Sequence, residues 1–135
     1  MPGLMADNNI QGHFAILLNL VKSPAWEDFW NYLHLSIETF ETLGLSRTAP
    51  DNVVWHACQS KEIVLFTTNR NDEGPDSLEE TIRTYNHAAS FPVLTLSNPQ
   101  RFQRERAYAE KVVEKVVDVF LYMENYLGSG RIWLP

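Results

Sequence analysis

Cysteine is almost absent from this chain of 135 residues, where Cys58 stands alone. An internal disulfide is therefore impossible, and a reducing, cytoplasmic setting is expected. Met1 to Ile10 holds no basic residue and no long apolar core, so no signal peptide is read there. The longest apolar runs fall far short of the roughly 20 residues that span a bilayer, so no membrane partner is expected. Positive charge is scarce too: 11 Lys and Arg face 17 Asp and Glu, a formal net charge of −6. That balance argues against a broad electrostatic footprint for nucleic acid, while leaving room for a local basic groove. It equally suits a concentrated set of acids that a divalent cation would partly neutralise.

Several chemical signatures are missing. No G-x-S-x-G, P-loop or dinucleotide fingerprint occurs, which disfavours serine hydrolases, NTPases and nicotinamide enzymes. His13, His34, His56 and His87 show no HxxxH or HExxH spacing for zinc. Of these, His13 is close enough to Asp7 in sequence to share a rim with it. A phospho-acceptor receiver domain fits poorly, because no acidic pair follows the first strand and no lysine follows a late one.

What is present is an ordinary globular composition, 44% hydrophobic and 21% charged, at single-domain length. Leu4-Met-Ala reads as a short first strand. Phe14 to Val21 has helical spacing, Pro24 interrupts it, and Ala25 to Leu33 resumes with Trp26, Phe29, Trp30 and Leu33 on one face. Ile37 to Phe40 suits a second strand, with Ser36, Glu38 and Glu41 turned outward. Asp51 to Ser60 suits a helix that buries Val53, Val54, Ala57 and Cys58, the thiol inert. Ile63 to Phe66 is an uncharged strand. A helix opening at Pro75 with Asp76, Glu79 and Glu80 follows it, then a strand over Phe91 to Leu96. A long helix from Pro99 carries an apolar stripe from Phe102 to Leu121, ends at Gly128-Ser-Gly130, and leads to an edge strand, Arg131 to Leu134. Its basic residues, Arg101, Arg104, Arg106, Lys111 and Lys115, are interleaved with Glu105, Glu110 and Glu114, the pattern of a solvated face. Strands alternating with helices imply right-handed crossovers and a mostly parallel sheet in one α/β domain over 1–135.

Polar residues gather where strands end, which is where open α/β sheets place their chemistry. Asp7, Asn8 and Asn9 follow the first strand, and a strand end needs no acid for helix capping. Thr67, Asn69, Arg70, Asn71 and Asp72 follow Ile63 to Phe66. Asp51 and Asp76 sit at helix starts, where the helix dipole also favours an acid, and Thr48-Ala-Pro-Asp51 has the form of a capping box. If adjacent strands are parallel, these oxygens converge. Carboxylate and amide oxygens suit Mg²⁺ or Mn²⁺, which can orient water and stabilise charge on a phosphoryl oxygen.

Three segments, Asp7-Asn-Asn-Ile, Leu45-Ser-Arg-Thr-Ala-Pro-Asp51-Asn-Val-Val-Trp-His-Ala and Ile63-Val-Leu-Phe-Thr-Thr-Asn-Arg-Asn71, together resemble the PIN-like group of small proteins. The likeness is to the branch related to the Mut7-C ribonuclease domain, and it covers residues 4–98. It implies a Rossmann-like three-layer sandwich with a sheet of about four to five strands, and metal-dependent cleavage of RNA in active members. Carried over by position, Asp7 and Asp51 are the first and second metal-binding acids, and Thr67 shapes the third strand end. Asn69 and Asn71 stand where many relatives have acids, with Asp72 or Asp76 placed to compensate. The expectation is a Mg²⁺- or Mn²⁺-dependent ribonuclease, a toxin-like effector. Asp7, Asp51 and Asp76 would be catalytic, these three with Asn69 metal-binding, and Asn8, Thr67, Arg70 and Asn71 would contact single-stranded RNA. The alternative is a non-catalytic module that binds RNA or a protein, with Trp26, Phe29, Trp30 and Tyr32 as the interaction surface. The long helix offers a homodimer face.

Overall fold

Three strands, Gly3–Ala6 (β1), Ile63–Thr67 (β3) and Val93–Leu96 (β4), are buried along their whole length, and a strand with no polar face needs cover on both sides. Ser36–Glu38 (β2) and Arg131–Leu134 (β5) flank them in the order β2-β1-β3-β4-β5, every pair parallel. A computed structural model describes residues 2–70 and 73–135 of this α/β domain, a Rossmann-like three-layer sandwich.

The alternation of side chains along each strand sorts the core in two. Leu4, Ala6, Val64, Phe66, Leu94, Leu96, Ile132 and Leu134 pack against Gln11–Val21 (α1), Pro99–Arg104 (α5) and Arg106–Leu121 (α6). Met5, Ile63, Leu65 and Val93 pack on the other side against Asp51–Ser60 (α3) and Leu78–Tyr85 (α4). Glu27–Leu33 (α2) lies beside α6. There the Trp26 indole Nε1 donates to Glu110 Oε2 at 2.9 Å.

One crossover departs from expectation. The β3–β4 and β4–β5 connections step the same way along the sheet, yet α4 lies on one face and α5 and α6 on the other. Two parallel crossovers so arranged have opposite hands. The β1–β2 and β2–β3 connections agree in hand with β3–β4, so the last departs from the usual rule. The broad apolar stripe of α6, from Tyr108 to Phe120, is what covers Leu94, Leu96, Ile132 and Leu134. On the opposite side of β5, Arg131 pairs with Glu79 of α4.

Several boundaries also move. β2 is only three residues long, with Ile37 exposed at the sheet edge and Phe40 buried beyond the strand end. In α3 Trp55 is buried and Val53 exposed, because the large indole removes more apolar area from water beside Val54 and Cys58. The segment from Pro99 is two helices, broken where Glu105 is extended. Phe102 and Tyr108 would stand about 120° apart on one continuous helix, and the break lets both be buried. Helix α6 ends at Leu121, and a 3-10 turn over Met123–Asn125 follows. Gly128 instead turns the chain toward β5 with φ of 84°, where a Cβ would meet the Ala88 backbone at 3.1 Å. Trp26 and Trp30 pack against the core, whereas Phe29 and Tyr32 are exposed.

Candidate functional site

The carboxyl ends of β1 and β3 lie side by side, since Ala6 pairs with Phe66. Asp7 therefore leaves β1 beside Thr67. This is the topological switch point of the 2-1-3-4-5 order, where open α/β sheets bind ligands. Asp7 caps the 3-10 turn Asn8–Ile10, its Oδ1 accepting from Asn8 N at 2.8 Å, so this acid does have a local capping role. Its Oδ2 accepts from the buried Thr67 Oγ1 at 2.8 Å. Thr67 Oγ1 in turn accepts from Asn69 N at 2.9 Å, and Asn69 Nδ2 donates to Asp51 Oδ2 at 2.9 Å. A continuous hydrogen-bonded path thus runs from Asp7 through Thr67 and Asn69 to Asp51.

Asp51 holds the first turn of α3 after Pro50, and no side chain caps that helix. Thr48 pairs with Ser46 instead, so the capping box does not form. Asp51 shares an open cleft of about 420 Å³ with Glu73 and Asp76. Asp76 lies in the turn before α4, whose N-cap is Ser77, accepting from Glu80 N at 3.2 Å. Freed of a helix-opening duty, Asp76 is exposed on the cleft wall. Asn8 borders a separate small recess of about 140 Å³ with Gln11, Thr39, Phe40, Glu41 and Arg47. His13 stacks on Phe102, with ring centroids 6.3 Å apart. Asn71 and Asp72 lie outside the described residues.

The loop after β3 is braced from the far edge of the sheet, a feature that sequence reading missed. Arg131 Nη1 donates to the Asn69 carbonyl at 2.8 Å and to Thr95 Oγ1 at 2.7 Å. Its Nε and Nη2 both donate to Glu79 Oε2, at 3.2 and 3.0 Å. The Arg131 side chain is 5% exposed, so its role is structural rather than that of a solvated charge. Arg70, by contrast, is exposed, and its Nη2 donates to the Ser97 carbonyl. Under the site, burial and then the nearby Asp7 charge push the Cys58 thiol up to about 12, so it stays protonated and inert.

Asp7, Asp51, Asn69 and Asp76 offer oxygen donors only, the chemistry of a hard cation. Among the described residues no group of three or more His, Cys, Asp and Glu side chains could by itself hold a metal ion. Mg²⁺ needs no such cage, since one or two carboxylates with waters and a substrate phosphate commonly hold it. Among the described residues no helix is long and apolar enough to cross a membrane. No protein-family model, curated protein or solved structure matches the chain.

Proposed function

We propose that this chain is a PIN-like ribonuclease that hydrolyses single-stranded RNA with Mg²⁺ or Mn²⁺. The observation that carries the reading is the Asp7–Thr67–Asn69–Asp51 path, which fixes two carboxylates around one strand end at the switch point of the sheet. Asp7 and Asp51, with the Asn69 amide oxygen, would hold the cation, and Asp76 lines the cleft next to Asp51. The bound cation supplies charge neutralisation on a phosphate oxygen and a more acidic water. One carboxylate accepts the proton of the attacking water as its oxygen bonds to phosphorus. The bond from phosphorus to the leaving ribose oxygen breaks, and that oxygen takes up a proton. Asn8, after β1, and Arg70, after β3, would contact the RNA strand.

Cleavage of mixed-sequence single-stranded RNA by wild type, Asp7→Asn and Asp51→Asn tests this reading. Each variant is expected to lose about a hundredfold or more of the metal-dependent rate while keeping the wild-type circular dichroism spectrum. Unchanged cleavage by Asp7→Asn would remove that residue from the mechanism.

One observation favours a second reading, a non-catalytic module that binds RNA or a protein. Asn69 presents its Nδ2 to Asp51 and so brings no charge where a third acid would strengthen metal binding. Exposed Phe29 and Tyr32 supply a surface for a protein partner. Absence of cleavage in wild type at millimolar Mn²⁺ would favour this reading.

A further inference from the structure

Trp133 is half exposed, at 50%, although it lies inside a β-strand. The topology explains why. Ile132 and Leu134 point to the face covered by α6, so Arg131 and Trp133 point to the other. The odd-handed last crossover puts α5 and α6 on the other side, and α4 meets this side of β5 through the Glu79–Arg131 pair. The indole therefore stands half exposed on the edge strand.

Its position in register matters more than its exposure. Thr67 pairs with Thr95 and Thr95 with Trp133, while Asp7 follows the Ala6–Phe66 pair on β1. Asp7, Thr67, Thr95 and Trp133 thus form one cross-strand row at the carboxyl end of the sheet. With adjacent strands about 4.8 Å apart, the ends of this row are separated by roughly 14 Å. The Arg70 guanidinium carbon stands 5.3 Å from the Trp133 ring centroid, and that of Arg131 also 5.3 Å. Arg131 is spoken for by Glu79, Thr95 and Asn69. Arg70, directly after Asn69 in the chain, is exposed and gives its Nη2 to the Ser97 carbonyl. A half-exposed indole with the Arg70 guanidinium over its ring, in an otherwise acidic protein, matches a base stacked on the exposed part of the ring with its phosphate on Arg70.

We propose that Trp133 and Arg70 form a stacking platform for an unpaired base of single-stranded RNA, with Arg70 on the adjoining phosphate, a short stretch of strand away from the phosphate cleaved near Asp7. This inference rests on the ribonuclease reading for its substrate, but its test does not require cleavage. The platform tolerates any base, because every base offers a π-face.

Fluorescence anisotropy of a labelled oligouridine in excess EDTA measures binding without turnover. Trp133→Ala is expected to weaken binding about ten- to hundredfold and Trp133→Phe to stay near wild type. Arg70→Ala is expected to weaken it and to flatten the logarithmic salt dependence by about 0.7, one phosphate contact to a single strand. Thermal melts of each variant identify any that fails to fold, and Trp133→Phe preserves the packing at the edge. Wild-type affinity in Trp133→Ala would overturn the platform, as would equal loss in Trp133→Ala and Trp133→Phe or no binding by wild type. Platform binding without Asp7-dependent cleavage would uphold this inference and defeat the ribonuclease reading. Asp7-dependent cleavage with wild-type binding by Trp133→Ala would do the reverse.

Discussion

The hydroxyl of Thr67 donates to Asp7 Oδ2 at 2.8 Å while accepting the Asn69 amide at 2.9 Å. One fully buried side chain therefore sets both the rotamer of the β1 acid and the path of the loop after β3.

Thr67→Val keeps the size and β propensity of the side chain but removes both hydrogen bonds. A bond to a charged partner is worth more than a neutral one, so the expected loss is about 2 kcal/mol in urea unfolding. Thr67→Ser should recover most of it. If the ribonuclease reading holds, Thr67→Val also lowers the cleavage rate at saturating metal, because Asp7 loses its orientation.

Arg131 carries the second brace. Replacing it with Met strands a partly buried Glu79 and removes one donor from the Asn69 carbonyl, at an expected cost of about 3 kcal/mol. The double variant Arg131→Met with Glu79→Leu should regain much of that stability, since the uncompensated charge is gone. Equal stability of the single and double variants in denaturant melts would show that the pair is not the source of the loss.

These two braces separate what was legible in the sequence from what was not. The starts of β3, β5 and α3, and the path that links Asp7, Asn69 and Asp51, follow from short apolar runs ending in polar loops, whereas β4 begins at Val93 rather than Phe91. Local pattern reports such features directly. Arg131 looked like an ordinary edge residue, because its partners Asn69, Thr95 and Glu79 are distant in sequence and meet it only through strand order. The break at Glu105 was hidden for a related reason: the apolar spacing runs through it, and no proline or glycine marks it. Asp76 looked like a first-turn acid because Pro75 suits a helix start, but the Ser77 hydroxyl captured the cap. The hand of the last crossover is set by which face the α6 stripe covers, and no local pattern encodes that.

Cys58 provides a pH test of the core beneath the site. Burial, with a smaller contribution from Asp7, raises its pKa to about 12, so the folded chain keeps the thiol neutral where an unfolded chain would ionise it. No stability is lost below the ordinary thiol pKa. As pH rises above it toward about 12, the unfolded state releases a proton that the folded state retains, and stability falls. Wild type should therefore lose stability over that window faster than Cys58→Ala. The native thiol should also resist a disulfide reagent at neutral pH until denaturant is added.

The opposite sign applies at Glu110. The Trp26 indole N–H, and secondarily Arg106, hold its carboxyl below the usual carboxylate range. A lowered folded-state pKa contributes stability that is full above the carboxylate range and is lost as pH falls through it. Wild type should exceed Glu110→Gln by under about 1 kcal/mol near neutrality, as expected for a largely solvated pair. The difference should vanish in acid, as read from urea midpoints across pH.

The most direct measurement is calorimetric titration of Mn²⁺ into wild type, Asp7→Asn and Asp51→Asn. The expected result is binding in wild type that weakens at least about tenfold, or 1.4 kcal/mol, in each variant, with unfolding midpoints little changed. Identical heats in all three proteins, or no binding to wild type at millimolar Mn²⁺, would contradict the assignment of Asp7 and Asp51 as metal-binding acids.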